Sequence, residues 1–476
     1  MTATTSLEKK PPAILSLIGD TPLVEITQFD TGPCQLFLKL ENQNPTGSIK
    51  DRIALSMIEA AEQEGKLQPG GTVIEATAGN TGLGLALVAG AKGYRVILVI
   101  PDKMSQEKIS HVKALGAEVR ITRSDVTRGH PEYYQDMAAR LAEEIPGAFY
   151  VNQFGNPANP LAHERTTGPE IWEQMRHDVD AIVVGVGSGG TLTGLGRFFN
   201  RVKPRRGIEM ILADPKGSVL YEYVKTGKLV EAGSWAVEGI GEDFIPEIAD
   251  MSLVTDAFEI DDEESFSTAR DLLKREGIFG GSSTGTLFAG ALRYCRQQTK
   301  PKRVVSLVPD TGNKYLSKMY NDFWMAEQGF IHRPPHGDLS DLISHRYEAG
   351  EVITVGPDDS LLTAFKRMRD SDVSQLPVVD QSGRAVGIVD EHDLLVKVHR
   401  DPTHFNDAVR TAMSDKLETL PPKASIKDLL DVFNRGRVAI VMEGDQFLGL
   451  ITPTDLLSYL RLHMPASATP AEREFV

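Results

Sequence analysis

Short apolar runs recur between about residue 70 and residue 310 and alternate with helical patterns. The runs richest in β-branched residues are TVIEA (72–76), RVILVI (95–100), AEVRIT (117–122), AIVVGV (181–186), EMILAD (209–214) and RVVSLV (303–308). Apolar runs of this length predict buried strands, and the amphipathic stretches between most of them predict helices. The alternation is typical of an α/β domain built on mainly parallel sheets, in which ligands bind at the carboxyl ends of the strands.

A further helical pattern follows the turn NPTGSIKDR at residues 44–52. Apolar residues at helical spacing begin at Ile53, and Gly65 marks the end of the pattern. Lys50 is therefore expected at or near a helix N-terminus, where a cation is electrostatically unfavoured. Two interpretations are open: a solvated lysine beside Asp51, or an amine held near neutrality for covalent chemistry.

The C-terminal part of the chain contains a repeat. Residues 375–395 and 438–457 share an apolar strand, a polar turn, a second apolar strand and a helix that starts near Asp-Leu-Leu. Two copies of one small α/β unit can bury each other's apolar faces, so a paired module is expected. The predicted limits are a first domain of two α/β subdomains at 1–330, a linker with a short helix at 331–350, repeats at 351–405 and 406–465, and a flexible tail at 466–476.

Composition narrows the possible partners. The chain has 476 residues, too many for one ordinary core, and 41% of them are hydrophobic, as in a globular protein. Its formal net charge of −15 argues against nucleic acid as the main partner, because nucleic-acid affinity depends largely on neutralising phosphates. Small polar substrates are expected instead.

The same composition bears on location and on metal binding. Cys34 and Cys295 are the two cysteines, which excludes a disulfide framework and fits a reducing compartment. The sequence shows no apolar leader and no apolar run of membrane-spanning length, so a cytoplasmic protein with no membrane partner is expected. The histidines at 331–350 lack the spacing of metal ligands, and no metal site is expected there.

Three glycine-rich turns precede helical patterns. TAGNTG (77–82) offers hydroxyls, an amide and backbone N–H groups, which suit a carboxylate, while GVGSGGT (185–191) suits a phosphate. GGSSTG (280–285) places hydroxyls before a third helix. Each turn alone also fits an ordinary strand-to-helix connection. GVGSGG in addition resembles a dinucleotide-binding loop, for which Asp214 would be the ribose-binding acid.

Taken together, PTGSIKDR (45–52), TAGNTG, GSGGTLTG (187–194) and GGSSTG are more specific than any one of them. In this order and spacing they resemble the β-family, or fold type II, of pyridoxal-phosphate enzymes, the group with cysteine synthases and cystathionine β-synthases. The repeat resembles a tandem of CBS domains, or Bateman module. The two resemblances cover nearly the whole chain and look like the cystathionine β-synthases of this family. They imply an α/β fold with mainly parallel twisted sheets followed by the tandem module.

The resemblance implies a role for each turn. Lys50 would bind pyridoxal 5′-phosphate as a Schiff base and later move the Cα proton of the substrate. Asn80 would bond the 3′-oxygen of the ring, and Ser282 would face the ring nitrogen, where a neutral hydroxyl favours loss of a β-leaving group. The substrate carboxylate would be bound by Thr77, Thr81 and Gln153. The cofactor phosphate would be held by Gly187, Ser188, Gly189, Gly190 and Thr191.

The implied reaction is a β-replacement in which L-serine loses its hydroxyl and L-homocysteine adds to Cβ, giving cystathionine. The nearest alternative is a cysteine synthase that uses O-acetylserine and sulfide. More distant alternatives are a nicotinamide-dependent oxidoreductase and a nucleotide sensor whose first domain is a relic. Haem is not expected, because only about ten residues precede the catalytic pattern. The identity of the thiol stays open, because Glu242 follows EGIG where the animal enzymes have an aromatic residue.

The second repeat fits the CBS-domain pattern Gly-apolar-apolar-Thr-x-x-Asp at GLITPTD (449–455). The resemblance assigns Asp455 to a ribose diol and Thr452 to the ribose or its phosphate side. The first repeat keeps Asp393 but has Asp390 at the threonine position, where a carboxylate would repel a phosphate. One adenosyl site is therefore expected, and S-adenosylmethionine is favoured over ATP or another adenine nucleotide. The alternative is a structural, dimer-forming module with a helix-capping Thr452; a homodimer or higher homo-oligomer is the family expectation.

Overall fold

The fold is described from a computed structural model that covers residues 12–77, 79–102, 104, 106–127, 129–203, 207–331 and 336–462. The chain separates into two compact units, residues 1–320 and 321–476. The predicted tail at 466–476 lies outside the described residues. Within the described ranges, no helix combines the length and apolar character needed to cross a membrane.

The first unit is built on two sheets. Its strands are β1 (Leu23–Glu25), β2 (Gln35–Lys39), β3 (Thr72–Ala76), β4 (Arg95–Pro101), β5 (Glu118–Thr122), β6 (Ala148–Tyr150), β7 (Ala181–Val184), β8 (Glu209–Pro215), β9 (Asp256–Ile260) and β10 (Arg303–Leu307). The larger sheet has the order β1-β2-β10-β7-β8-β9 and the smaller sheet has the order β5-β4-β3-β6. Within both sheets every neighbouring pair except β1 and β2 runs parallel.

Helices cover both faces of the two sheets. They are α1 (Lys50–Gln63), α2 (Asn80–Lys92), α3 (Gln106–Ala114), α4 (Tyr134–Glu144), α5 (Ala158–Ala162), α6 (Gly168–Gln174), α7 (Gly190–Val202), α8 (Leu220–Thr226), α9 (Asp262–Glu276) and α10 (Ser282–Arg296). Each sheet therefore has an apolar core on either side, which explains why β3 and β7 are buried at every position. All six predicted strands are present, and the predicted fold class is confirmed.

The second unit contains the repeat. Its elements are α11 (Asp322–Glu327), α12 (Leu361–Asp370), β11 (Gln375–Val379), β12 (Ala385–Asp390), α13 (Glu391–Val398), β13 (Thr419–Leu420), α14 (Ile426–Asn434), β14 (Ala439–Glu443), β15 (Gln446–Ile451) and α15 (Pro453–Leu462). In both copies an antiparallel strand pair is preceded by one helix and followed by another. The copies share a core in which Val379 and Ala385 pack with Ile440 and Phe447. The predicted paired module is thus present.

Two segments of this unit pack across the limits that the sequence suggested. Leu339 and Ile343, from the predicted linker, lie in the core of the second repeat. Val409 and Met413, placed by sequence in the second repeat, pack in the core of the first. Small residues permit both contacts, since a Cβ on Gly449 would lie 2.5 Å from Ile343 and one on Gly387 would lie 2.6 Å from Met413. Each repeat is therefore completed by a segment that lies outside its predicted sequence limits.

Candidate active site

Lys50 is the first residue of α1, as the sequence predicted. The turn before it is held by Asp51, whose carboxylate accepts hydrogen bonds from the backbone N–H of Thr46, at 2.7 Å, and from the Thr46 hydroxyl. Asp51 is thus occupied by the turn itself. Lys50 lines a cavity of about 740 Å³.

The surroundings of the Lys50 amine favour its uncharged form. Burial lowers the pKa of Lys50, because a charged group loses hydration there, and the carboxyl groups of Asp310 and Glu242 oppose this effect. In the described part of the chain the amine has no hydrogen-bond partner. A half-buried amine with a lowered pKa has the properties of a nucleophile, as covalent chemistry requires.

The cavity collects most of the residues that the sequence singled out. Its walls include Lys50, Thr77, Asn80, Thr81, Gln153, Gly187 and Ser188. A smaller adjoining cavity of about 30 Å³ is lined by Gly189, Gly190 and Thr191, again with Lys50. Ser282 is not on either wall, because it is buried behind Glu238, whose backbone N–H donates to the Ser282 hydroxyl at 2.9 Å.

The loop after β7 has the shape of a phosphate cradle. Gly189 has a φ of 87°, and a Cβ there would lie 2.4 Å from the Cβ of Ala249. At Gly190 a Cβ would lie 1.8 Å from Asn159 Oδ1. Glycine is required at both positions, and the loop runs directly into the first turn of α7, whose backbone N–H groups have no partners within the helix. Such a loop suits an anion.

These residues fit pyridoxal phosphate. The loop supplies uncharged donors for a phosphate, Lys50 supplies an amine in the same cavity, and Asn80 supplies an amide. Asn159 links the loop to Gln153, since its Nδ2 donates to the Ser188 hydroxyl at 3.0 Å and to the Gln153 carbonyl at 2.8 Å. Lys50, Asn80 and the cradle would therefore hold the cofactor.

The predicted carboxylate-binding residues are hydrogen-bonded to one another. The Thr81 hydroxyl donates to Gln153 Oε1 at 2.6 Å, and the Gly79 N–H donates to the Thr77 hydroxyl at 3.2 Å. Behind them lies Glu75 of β3, which accepts the Gln153 N–H at 3.1 Å. Burial raises the pKa of Glu75 to about 7. Sequence reasoning missed Glu75, although a carboxylate within an otherwise apolar strand is a signal that could have found it.

Three further residues at the site, Asp310, Lys314 and Tyr315, were missed because they lie far from Asn80 in sequence. Lys314 donates to Asn80 Oδ1 at 2.5 Å, and Asn80 Nδ2 donates to Asp310 Oδ2 at 2.8 Å. Tyr315 also donates to Asp310 Oδ2, at 2.9 Å. Burial raises the pKa of Asp310. The amide that was predicted to bond the ring oxygen is thus held between a lysine and a buried carboxyl.

The segment between β8 and β9 covers another side of the cavity. Glu238 forms ion pairs with Lys108 and Lys318, the latter at 2.6 Å, and the cavity is also lined by Glu242. Asp214, the ribose-binding acid of the dinucleotide alternative, does not line the cavity. It is buried at the end of β8, where it accepts the Tyr221 N–H at 2.9 Å.

The predicted adenosyl-site residues meet at the start of α15. Asp455 Oδ2 accepts the backbone N–H of Thr452 at 2.7 Å and the Thr452 hydroxyl at 2.6 Å, while Oδ1 accepts the Ser344 hydroxyl. In the first repeat Asp390 and Asp393 form a capping box at the start of α13. The two sites therefore have the same local geometry, with a hydroxyl in one and a second carboxylate in the other.

Comparison with known proteins identifies both parts of the chain. A model of the pyridoxal-phosphate dependent enzyme family matches residues 14–310, and the CBS domain model matches residues 340–400 and 409–462. Cystathionine beta-synthase of Dictyostelium discoideum is 36% identical over 461 residues, which cover 94% of this chain and 92% of that protein. The enzyme of Saccharomyces cerevisiae is 32% identical over 499 residues, which cover 94% of this chain and 97% of the relative.

Two solved structures resemble about two thirds of the chain. A hydrogen sulfide-producing enzyme from Fusobacterium nucleatum superposes with a TM-score of 0.59 at 36% identity and covers 64% of this chain and 99% of its own. An O-ureido-L-serine synthase superposes with a TM-score of 0.60 at 33% identity and covers 66% of this chain and 98% of its own.

Proposed function

We infer that this chain, a member of the cystathionine β-synthase family of pyridoxal-phosphate-dependent enzymes, condenses L-serine with L-homocysteine to form cystathionine and water. Family membership follows from the match to the pyridoxal-phosphate family model and from relatives at 32–36% identity along nearly the full length of both chains. The observation that carries the reaction is one cavity that contains the Lys50 amine, a glycine cradle and the Thr81–Gln153 pair.

Each residue has a defined task in this reaction. When bound, pyridoxal phosphate supplies a covalent anchor for the amino group of the substrate and an electron sink for its Cα. Lys50 would hold the cofactor, and its amine would remove the Cα proton of the substrate as a general base. Thr77, Thr81 and Gln153 orient the substrate by its carboxylate. Ser282 accepts the backbone N–H of Glu238, so it would act on the cofactor through this cavity-lining residue and keep an uncharged hydroxyl behind it.

Asn80 and the cradle keep the cofactor in one orientation. The Asn80 amide would bond the ring oxygen, and the backbone N–H groups at Gly189, Gly190 and Thr191, with Gly187 and Ser188, would hold the phosphate. The Asn80 amide is held in place by the protein itself, because Lys314 and Asp310 both bond its side chain. Preorganised donors lose little entropy on binding.

The four donor and acceptor pairings test the reaction. Serine or O-acetylserine is offered with homocysteine or sulfide to the enzyme loaded with pyridoxal phosphate, and products are identified by mass. Formation of cystathionine from serine and homocysteine is the expected result. Turnover confined to O-acetylserine and sulfide would replace this function with cysteine synthesis, the second candidate.

We propose that the second repeat binds the adenosyl group of S-adenosylmethionine through Asp455 and Thr452. Support comes from the CBS-domain match and from the position of both side chains at the start of α15. Asp455→Ala should weaken binding by about 1.5–3 kcal/mol, because a charged hydrogen-bond partner is lost. Calorimetry with S-adenosylmethionine, AMP and ATP tests the proposal; no heat with any of the three at submillimolar concentration would make the module structural.

The remaining features of the proposal concern organisation. We place the catalytic domain at 1–330, the linker at 331–350 and the CBS domains at 351–405 and 406–465, in a cytoplasmic homodimer or larger homo-oligomer. The two buried, unpaired cysteines support a reducing compartment. Sedimentation of the purified chain tests the assembly, and a monomer at micromolar concentration would contradict it.

A further inference from the structure

Glu242 differs from Glu238 and Lys314, two other charged residues that line the catalytic cavity. Glu238 is paired with Lys108 and Lys318, and Lys314 is bonded to Asn80. The Glu242 carboxyl lines the same cavity, yet it has no hydrogen-bond or ion-pair partner in the part of the chain that the structure describes. A half-buried carboxyl that lines a ligand cavity and has no partner in the described chain is free to bond a ligand there.

The backbone that carries Glu242 is fixed on both sides. The Gly241 N–H donates to the Val186 carbonyl at 2.8 Å, and the Glu242 N–H donates to the Ser218 hydroxyl at 3.1 Å. Gly241 has a φ of 85°, and a Cβ there would lie 2.4 Å from Pro215. This bend therefore requires glycine, and it fixes the position of the backbone of Glu242, the next residue.

Glu242 lies close to the reacting groups. Its Oε1 is 3.9 Å from the position that a Cβ on Gly187 would occupy, at the start of the phosphate cradle. Lys50 is within electrostatic range of it, and Asp310 is the other carboxyl that acts on the Lys50 amine. Asn80 and Tyr315 both donate to Asp310 Oδ2, its Oδ1 is buried without a partner in the described chain, and Asp310 does not line the cavity. Of these two carboxyls, Glu242 is thus the one available to exchange a proton with a ligand.

We propose that Glu242 is a second proton-transfer residue, which protonates the oxygen leaving the β-carbon of serine and then accepts the proton of the incoming thiol. The proposal rests on the β-replacement proposed above and adds a residue to it. Lys50 acts at Cα, whereas two proton transfers remain at Cβ: a hydroxyl leaves readily only when it gains a proton, and a thiol attacks readily only when it loses one.

The two transfers balance. In the first, the Cβ–O bond breaks, its electron pair stays on oxygen, and the oxygen takes the Glu242 proton and leaves as water. In the second, the thiol S–H bond breaks, the proton returns to Glu242, and the sulfur electron pair forms the new bond to Cβ. The carboxyl is therefore restored after each turnover, and no further reactant is needed.

The protonation state of Glu242 suits this sequence. Burial raises its pKa to about 8, and the like charges of Asp243 and Asp214 add to the effect, while Lys50 opposes it. The titratable groups recorded as interacting with the carboxyl are Lys50 on α1, Asp214 on β8, its neighbour Asp243, and Tyr134 on α4, whose own pKa Glu242 helps to raise. At neutral pH it holds a proton to donate, and it can give up and regain that proton near the working pH.

The variant Glu242→Gln is tested with two substrates that differ in their leaving group, serine and O-acetylserine. An acid role predicts different losses of turnover with the two, whereas a structural role predicts equal losses. Acetate leaves O-acetylserine without a proton, whereas hydroxide does not leave serine without one. With homocysteine as the thiol, we expect turnover of serine to fall about 10²–10⁴-fold, as when a general acid is removed. Turnover of O-acetylserine should fall less than about tenfold at pH 9, where part of the thiol is ionised without a base.

Glu231→Gln is the matched control, because Glu231 is an exposed glutamate on the same β8–β9 connection. It should leave both donors unaffected. Equal losses with both donors in Glu242→Gln would overturn the acid role, and unchanged rates with both would make Glu242 a bystander. A wild-type enzyme that turns over O-acetylserine but not serine would overturn the proposed function together with this inference, whereas the first two results overturn the inference alone.

A second readout needs neither cofactor nor turnover. A carboxyl whose pKa is raised by folding costs stability as the pH rises from the unfolded value to the folded value. The melting temperature of cofactor-free Glu242→Gln should therefore exceed that of the wild type by an amount that grows from about pH 4.5 to about pH 8 and then levels off. A difference that does not change with pH would show that Glu242 does not hold its proton in this range, and would overturn the proposal.

Discussion

Lys39 and Lys50 lie in the same domain, and burial lowers the pKa of both, yet their surroundings differ completely. The Lys39 amine is fully enclosed and donates to Glu170 at 2.7 Å, to the Thr21 carbonyl at 2.6 Å and to Gln174 at 2.9 Å. The Lys50 amine lines an open cavity, and in the described chain no acceptor forms a hydrogen bond with it. A lowered pKa thus accompanies both a structural and a chemical lysine.

The partners of each lysine distinguish the two roles. Lys39 belongs to a buried network in which Arg52 bonds both Glu41 and Glu170, so every charge is compensated. Although burial alone raises the pKa of Glu170, hydrogen bonds from Arg52 and Lys39 bring it down to about 2. The network anchors the start of α1 to α6. It holds Lys50 in place without taking part in its chemistry.

Lys50→Ala should have the largest effect on this comparison. We expect turnover to fall by at least about 10²–10⁴-fold, because the proton-transfer group is lost, and the visible absorbance of the lysine-linked cofactor to disappear. Circular dichroism should show a folded protein. Lys108 and Lys314 line the same cavity, so a double variant with Lys314→Met checks that any residual activity comes from a neighbouring amine. Normal turnover in Lys50→Ala would contradict the assignment.

Arg52→Met should break the structural side of the comparison. It leaves Glu41 and Glu170 buried without their shared cation, and a buried charge that loses its partner costs about 3–5 kcal/mol. Urea unfolding with the cofactor removed measures the loss. A variant as stable as the wild type would show that the network does not anchor α1.

Glu170→Gln should sharpen the comparison through pH. The folded pKa of about 2 lies below the ordinary value of 4.5, so the wild type gains stability above about pH 4.5 and loses it as the pH falls toward 2. The shift corresponds to about 3 kcal/mol. The variant should therefore be less stable than the wild type at pH 7, and the difference should vanish near pH 2. An equal difference at all pH values in acid unfolding would contradict this.

The smallest expected effect comes from replacing each lysine by methionine. Lys39→Met removes three hydrogen bonds and should cost about 1–3 kcal/mol, with turnover retained in the folded fraction. Lys50→Met should instead stabilise the cofactor-free protein by about 1 kcal/mol, because it removes an uncompensated buried amine.

The gain in Lys50→Met should also depend on pH. A lysine whose pKa is lowered by folding costs stability below its folded pKa, and this cost disappears as the pH rises toward the unfolded value. The gain should therefore shrink toward about pH 10.5. Thermal melts of both variants across this pH range measure the expected loss of stability in Lys39→Met and the expected gain in Lys50→Met. Destabilisation by Lys50→Met would show that the protein does stabilise the charged Lys50 amine.

The elements that could be predicted from the sequence are those with a strong local pattern. The six apolar runs became strands because helices cover them on both sides, and Gly65 ends α1 with a φ of 71°. β6 was missed because three residues carry no period, and β9 because its sequence, DAFEI, begins and nearly ends with carboxylates. Strands as short as these form because they pair with a neighbouring strand of the sheet, and their own sequence carries little signal.

The candidate site could be predicted only in part for a related reason. The glycine turns and Lys50 can each be recognised from a short stretch of sequence. Lys314 reaches Asn80 from 234 residues away, and Glu238 meets Ser282 across 44 residues. Contacts of this kind depend on how the two sheets face each other, and a single sequence contains no local trace of them. The roles assigned to the individual side chains remain predictions.

The exchange of segments between the two repeats has a consequence for how such a module can be inherited. Residues 339–343 complete the core of the second repeat, and residues 409–413 complete that of the first. A gene fragment cut at 351–405 or at 406–465 would encode a unit that lacks part of its interior, and the second fragment would also carry residues that belong to the core of the first. The pair of repeats is therefore the smallest unit that recombination can transfer intact. Transfer of one copy alone would leave the donor and the recipient each with an incomplete core.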